Sequence, residues 1–183
     1  MKKLLLIATG GTIACRETEN GLSPALSGAE LLDCVPKLSE FCTMDVRDLM
    51  QLDSTDMTAD DRLRIAHAVR QNAERYDGFV IAHGTDTLAY TAALLYHLLA
   101  DLVKPVALTG SMLPMGAPDS DAPRHLLDAC RVAADGHAGV VAVLCGKLLA
   151  GNRTVKSHST QIDAFLSAGL PPTGTAGTDG SVG

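Results

Sequence analysis

Two short stretches of the sequence carry side chains that could do covalent chemistry. Thr12 follows a glycine pair ending at Gly11, and Thr85 and Asp86 follow Gly84, each just after an apolar run. A threonine hydroxyl becomes a nucleophile when a neighbouring group removes its proton, and glycine turns leave backbone N–H groups free to bind an anion. The two stretches predict a pocket with two hydroxyls, one carboxylate and several N–H donors.

Each of these polar residues also has an ordinary structural interpretation. Asp86 could cap the helix that follows it, and Ser54 and Thr55 fit a side-chain-stabilised turn before another helix. His83, at a buried strand end, is more often a satisfied core histidine than a base. Lys156 could be a solvated surface lysine, or it could lie beside a threonine–aspartate pair and keep the aspartate ionised. The residue types alone leave both interpretations open.

The elements that would position these side chains are read from the apolar runs. Short continuous apolar runs ending in glycine or polar turns are typical of buried parallel strands, and helical spacing between them indicates crossover helices. The alternation predicts a doubly wound, flavodoxin-like α/β domain with a mostly parallel sheet and a C-terminal hairpin. Ligands bind outside the carboxyl ends of such strands, so the two threonine turns should meet. The predicted strands are 4–8, 41–49, 78–82, 105–109, 139–144 and 147–150, with helices near 27–35, 58–76, 87–102 and 121–136.

Two segments do not fit this alternation. Residues 15–27 are polar and predict a mobile loop. The segment 171–183 is rich in glycine, threonine and proline and nearly lacks apolar side chains, which predicts a linker or disordered end. We therefore expect one folded domain over residues 1–170.

Composition excludes several classes of function. The net charge of −6 argues against a nucleic-acid partner, since phosphate binding needs a basic face. The five cysteines are widely spaced and form no C-x-x-C motif, which favours free thiols in a reducing cytosol over disulfides or a zinc site. The histidines show no ligand spacing, so we expect no metal. The apolar run after Lys3 is too short for a signal peptide or a membrane span.

The motifs together resemble the bacterial-type L-asparaginase family, whose members hydrolyse asparagine and sometimes glutamine. The resemblance covers about residues 1 to 172, and its order and spacing match throughout. It rests on two signatures, Leu6–Ala14 and Gly78–Leu88, and on the supporting segments Asp53–Met57, Thr109–Ser111, Ser120–Asp121 and Gly151–Lys156.

This resemblance implies a role for each matching residue. Thr12 would attack the side-chain amide carbon and form an acyl-enzyme, and Thr85 would help to activate the attacking hydroxyl or water. Lys156 and Asp86 would complete a Thr–Asp–Lys set, and Asp86 would also bind the α-ammonium group of the substrate. The implied substrate-binding residues are Gly11, Asp53, Ser54, Thr55, Gly84, Asp86 and Ser111, with no cofactor and no metal.

The resemblance also implies properties of the whole protein. The family has a smaller C-terminal domain, and this chain matches only the N-terminal one, so we expect weak or absent turnover. Family members are dimers or tetramers, and the cytoplasmic, type I branch fits best. Leu22 lies near the place of the mobile-loop tyrosine of the family, and Ala122 and His125 stand where the family usually has Gly and Asn. The alternative to an enzyme is a truncated domain that binds asparagine, aspartate or an assembly partner without turnover.

Overall fold

The computed structural model describes residues 1–19 and 21–183, so the part of the predicted 15–27 loop at Asn20 lies outside the described residues. The described residues form eleven strands and four α-helices. The strands are β1 (Lys2–Gly10), β2 (Cys15–Thr18), β3 (Gly21–Pro24), β4 (Cys42–Leu52), β5 (Gly78–Ala82), β6 (Pro105–Thr109), β7 (Gly139–Leu144), β8 (Lys147–Ala150), β9 (Thr154–Lys156), β10 (Phe165–Ser167) and β11 (Gly174–Thr175). The helices are α1 (Gly28–Asp33), α2 (Ala59–Gln71), α3 (Leu88–Leu98) and α4 (Ala122–Asp135).

Seven strands form one mixed sheet in the order β11-β8-β7-β6-β5-β1-β4. The five strands from β4 to β7 run parallel, and β8 pairs antiparallel with β7 as a hairpin. This confirms the predicted doubly wound α/β class, with the flavodoxin-like order of its parallel strands. Ala8 of β1 lies opposite Ala82 of β5, so these two strands end side by side.

The strands alternate their buried side chains between two separate cores. Leu4 and Leu6 of β1 pack on the side of α1 and α4, whereas Leu5 and Ile7 pack on the side of α2 and α3. Both faces of the central strands are covered, which explains why their sequences are continuously apolar instead of alternating.

Side-chain caps fix where two helices begin. Ser27 and Glu30 form a reciprocal capping box at the start of α1, and Thr58 and Asp61 form another at the start of α2. Each box satisfies backbone N–H groups that have no partner inside the helix. The Thr58 cap fixes the end of the turn that carries Ser54 and Thr55.

The structure differs from the sequence-based prediction in several segments: α2 ends at Gln71 and not near residue 76, and β9 pairs with β10 where no strand was predicted. The described parts of 15–27 include an antiparallel pair, β2 and β3, and not only a loop. In the segment 171–183, Gly174–Thr175 adds a seventh strand to β8, and Ala176 bridges to Val182. Backbone hydrogen bonds need no apolar side chains, so composition carries no signal of this pairing. A domain boundary at residue 170 stays a prediction.

Candidate active site

The two glycine turns meet at the carboxyl ends of β1 and β5. A methyl group built on Gly11 would lie 2.3 Å from Gly84 Cα, and one built on Gly84 would lie 2.7 Å from the Ser54 side chain. The N–H of Gly11 also donates to the Leu52 carbonyl at 3.0 Å, which joins this turn to the end of β4. Three strand ends are therefore held in direct contact, and only glycines allow so close an approach.

Lys156 brings a cation to the second turn from 70 residues further along the chain. Its Nζ donates to Thr85 Oγ1 at 2.9 Å and to Asp86 Oδ1 at 2.7 Å. The Lys156 side chain is 15% exposed and that of Asp86 is 56% exposed, so the ion pair opens to solvent on the carboxylate side. Thr85 is buried. The structure therefore places Lys156 beside the Thr85–Asp86 pair and not in solvent, and a catalytic role for this lysine stays a prediction.

Thr12 begins a short 3-10 turn, Thr12–Ala14, directly after Gly11. Its side chain is half-buried, whereas Ile13 is fully buried and anchors the turn in the core on the α1 and α4 side. Thr12 is therefore next to the contact between Gly11 and Gly84, at the same edge of the sheet as Thr85.

A third polar turn, Ser54–Asp56, lies beside the two glycine turns. Ser54 is buried; its Oγ accepts the Thr87 N–H at 3.3 Å, and its carbonyl accepts the Thr87 hydroxyl at 2.7 Å. Asp53 Oδ1 accepts both the N–H and the hydroxyl of Thr55 at 2.8 Å. Asp53 thus shapes the turn, while Ser54 joins it to the second signature.

Ser111 lies in the loop after β6, and its hydroxyl donates to the Leu113 carbonyl at 2.5 Å. The side chain is fully buried. The hydroxyl is therefore already used within its own loop, and a substrate contact by Ser111 stays a prediction. Gly110, just before it, is the part of this loop that lies against Thr85.

His83 is a satisfied core histidine. Its ring is fully buried, with Nδ1 2.7 Å from the Gly84 carbonyl and Nε2 2.9 Å from Thr91 Oγ1, which in turn accepts from Arg62 Nε at 3.1 Å. Burial lowers the pKa of His83 to about 4. The ring therefore stays neutral at physiological pH, and its contact with the Gly84 carbonyl fixes the turn there.

The buried His83 should make stability depend on pH. The unfolded chain protonates this histidine near pH 6.5 and the folded protein only near pH 4, so unfolding takes up a proton between these values. The free energy of unfolding should fall by about 2 kcal/mol from pH 7.5 to pH 5 through this group alone. The control is His83→Asn, which keeps a donor near the Gly84 carbonyl but has no titrating ring. Urea titrations at both pH values should show this decrease in the free energy of unfolding for wild type and not for the variant. The same pH dependence in both proteins would contradict the prediction.

A cavity of about 620 Å³ opens beside the Lys156–Asp86 pair. It lies between the first turns of α3 and strand β9, with Ala89, Tyr90 and Val155 in its wall. Within residues 1–19 and 21–183, no group of three or more His, Cys, Asp or Glu side chains is arranged to hold a metal ion. The same part of the chain contains no helix long and apolar enough to cross a membrane.

Comparison of the sequence with known families identifies the family of this chain. The sequence-family model for the N-terminal region of asparaginases matches residues 3–182, which is nearly the whole chain. The chain belongs to the asparaginase family. The matched region includes residues 171–182, which lie beyond the predicted domain.

Several proteins are similar to this asparaginase-family chain. An L-asparaginase of Thermococcus kodakarensis is 42% identical over 170 residues, covering 92% of this chain and 52% of the relative. The solved structure of the thermostable L-asparaginase from the same organism superposes with a TM-score of 0.88 at 39% identity, over 98% of this chain and 55% of that one. A glutamyl-tRNA(Gln) amidotransferase subunit from Pyrococcus horikoshii is 36% identical, covering 97% of this chain and 43% of the relative. The chain thus spans about half the length of the relatives it matches.

Sequence reasoning did not find every group that shapes this region. Thr91 of α3 contacts the His83 ring, Arg62 of α2 donates to Thr91, and no motif marks either residue. Asp121 accepts the N–H groups of Met112 and Leu113 at 2.8 and 3.0 Å, which fixes the loop after β6. The run Asp121-Ala122-Pro123 predicted only a helix start there, and the Asp121 side chain makes no capping hydrogen bond to α4, so its bonds to the loop had no sequence signal.

Proposed function

We propose that the three joined strand ends form an amidohydrolase site that converts L-asparagine and water to L-aspartate and ammonia. One observation carries the proposal: Lys156 Nζ contacts both Thr85 and Asp86, beside the contact between Gly11 and Gly84. The similarity to named L-asparaginases supports the same chemistry.

The nucleophile in this proposal is Thr12. Its Oγ1 attacks the side-chain amide carbon of asparagine, and the negative charge moves to the amide oxygen. Backbone N–H groups around Thr12 and Thr85 would stabilise that oxyanion. Collapse of the intermediate breaks the C–N bond, and the proton removed from the Thr12 hydroxyl passes to the leaving nitrogen, which departs as ammonia and leaves an ester on Thr12. Water then hydrolyses the ester, returns the proton to Thr12 and releases aspartate.

Thr85 and Lys156 would transfer the proton and activate the water. Because Lys156 Nζ donates to Thr85 Oγ1, the hydroxyl hydrogen of Thr85 can point elsewhere, towards the reacting group. The nearby ammonium stabilises negative charge on the Thr85 oxygen, so this hydroxyl can accept or pass on a proton during the reaction. Asp86 holds the lysine in place through Oδ1.

The same site offers groups suited to a zwitterionic amino acid. Asp86 is half-exposed and directs one oxygen to Lys156, while Oδ2 has no donor among the described residues and is available to an α-ammonium group. Ser54, with the backbone of Thr55, would bind the α-carboxylate from the third turn. These contacts need no metal and no cofactor.

The proposal is tested by incubating the 183-residue chain with millimolar L-asparagine or L-glutamine and measuring ammonia. We expect slow release that is faster with L-asparagine, together with a thermal shift on addition of L-aspartate. No release with a retained thermal shift would favour the alternative, a domain that binds the amino acid without turnover. Neither release nor shift would overturn both.

Replacing Lys156 by Met should reduce asparagine turnover by a factor on the order of 10² to 10⁴, the usual contribution of positioned proton-transfer groups. Methionine keeps much of the volume of the side chain but removes both contacts of Nζ. Lys37→Met, at an exposed lysine of the 3-10 turn Pro36–Glu40, is the matched control and should keep wild-type kinetics. Equal activity of the two variants would exclude a catalytic role for Lys156.

The match to an amidotransferase component favours a second candidate role, in which the released ammonia serves a synthetic reaction in a complex. The higher identity to the L-asparaginase makes free hydrolysis our first proposal. Addition of a partner complex would raise ammonia release only under the second role. Cytoplasmic location and assembly into a dimer or tetramer stay predictions, and sedimentation velocity of the purified chain tests the latter.

A further inference from the structure

The loop after β6 forms one wall of the Thr85 side chain. A methyl group built on Gly110 would lie 2.4 Å from the His83 carbonyl oxygen and 3.3 Å from Thr85 Cγ2. Thr85 is therefore confined on two sides, with its methyl group towards Gly110 and its hydroxyl on Lys156. A displacement of Gly110 would release the methyl group and allow the hydroxyl to rotate away from Lys156.

The imidazole of His125 holds Gly110 in this position. His125 lies in the first turn of α4 and is 3% exposed. Its Nδ1 is 2.9 Å from the Gly110 carbonyl oxygen, and its Nε2 accepts the N–H of Cys145 at 2.9 Å. Asp121 Oδ2 lies 3.4 Å from Nδ1 on the same side. One buried ring therefore joins the β6 loop to the turn between β7 and β8.

The Cys145 N–H determines which ring nitrogen carries the proton. Because Nε2 accepts this backbone donor, the hydrogen of the neutral ring lies on Nδ1, where it is donated to Gly110. Cys145 itself has a φ of 50°, an uncommon left-handed conformation for a cysteine, and its N–H is directed at the ring by this turn. The β7–β8 turn thus orients the bond that restrains Gly110.

We propose that His125 is a positioning residue for catalysis, which holds Gly110 against Thr85 and so keeps the Thr85 hydroxyl on Lys156. This inference rests on the proposed function for its catalytic consequence. Its structural content, that the bond from Nδ1 to Gly110 and not the bond at Nε2 restrains Thr85, does not depend on any activity.

Two substitutions separate the two bonds of the ring. The terminal atoms of asparagine are as far from Cα, in bonds, as Nδ1 is, so His125→Asn can still donate to Gly110 but cannot reach Cys145. The terminal atoms of glutamine correspond to Nε2, so His125→Gln can still accept from Cys145 but leaves Gly110 without its donor. His125→Gln loses the bond to Gly110, and His125→Asn loses the contacts of Nε2 with the N–H and Sγ of Cys145, so we expect a decrease in melting temperature in both variants.

The kcat values of His125→Asn and His125→Gln should differ, whereas their melting temperatures should not distinguish them. We expect His125→Asn to keep kcat within about threefold of wild type and His125→Gln to lower kcat at least about tenfold with little change in KM, because misplacement of a catalytic group by about 1 Å is costly. Equal kcat values for the two variants, or a larger loss in His125→Asn, would overturn the proposal.

A second measurement keeps the test independent of turnover. The ¹³C-methyl resonance of Thr85, assigned by its disappearance in Thr85→Ser, should move in His125→Gln and stay in place in His125→Asn. The same shift in both variants, or in neither, would overturn the positioning role. If the two variants show the expected NMR pattern but the wild-type chain releases no ammonia, the positioning geometry stands and the proposed function is refuted.

Discussion

Replacing Thr12 by Ala should reduce ammonia release from L-asparagine to the uncatalysed background, a loss of at least about 10³-fold in kcat. The variant keeps the glycine turns, the buried anchor at Ile13 and the contact between Lys156 and Thr85, so it should fold normally and still show a thermal shift with L-aspartate. Loss of turnover with retained binding is the signature of a missing nucleophile and not of a missing site.

The matched control for Thr12→Ala is Thr43→Ala. Thr43 is an exposed threonine near the start of β4, and its hydroxyl contacts only the Lys2 carbonyl at 3.4 Å among the described residues. This variant should keep wild-type kinetics. Thr12→Ser, which keeps a hydroxyl, should keep a measurable part of the activity. Full activity in Thr12→Ala would show that another group is the nucleophile, and Thr85 would be the first to be tested.

Replacing Gly11 by Ala should both destabilise the fold and abolish activity. Gly11 has φ 78° and ψ 177°, a backbone region that is essentially restricted to glycine. The added methyl group would also lie 2.3 Å from Gly84 Cα and 2.4 Å from Gly84 N, which are backbone atoms that cannot rotate away. We expect a loss of about 3 kcal/mol or more in the free energy of unfolding, since strain and overlap add.

Gly116→Ala provides the control for this effect. A methyl group at Gly116 meets no atom of the described residues within 4 Å, and its backbone is not in the positive-φ region. Urea denaturation should show little change for Gly116→Ala and a large decrease in midpoint for Gly11→Ala. A Gly11→Ala protein with wild-type stability would show that the two strand ends are not in direct contact.

The sheet and the meeting of the two signatures could be predicted because both depend on local patterns. Continuous apolar runs between helical segments define parallel strands, and parallel strands bring their carboxyl ends to one edge. The adjacency of Gly11 and Gly84 follows from this rule once β1 and β5 are neighbours. Only the family resemblance predicted Lys156 beside Thr85, because no local pattern relates residues about 70 positions apart.

Other parts of the fold carry no local pattern at all. Gly174 joins the sheet through its backbone, and composition predicted no order there. His125 is one of several histidines without ligand spacing, and its two partners, Gly110 and Cys145, lie in turns separated from it by 15 and 20 positions. Such a bridge depends on how α4 packs across the ends of β6 and β7, which only the three-dimensional structure defines.

The central claim is that Thr12 at the joined strand ends forms a covalent intermediate, and mass spectrometry of the quenched enzyme tests it most directly. The chain would be mixed with L-asparagine, quenched in acid within the first turnovers, and digested for peptide mapping. The account predicts an added aspartyl group, as an ester, on the peptide that contains Thr12, and its absence from Thr12→Ala. An adduct on Thr85, or ammonia release from the wild-type chain with no adduct at any quench time, would contradict it.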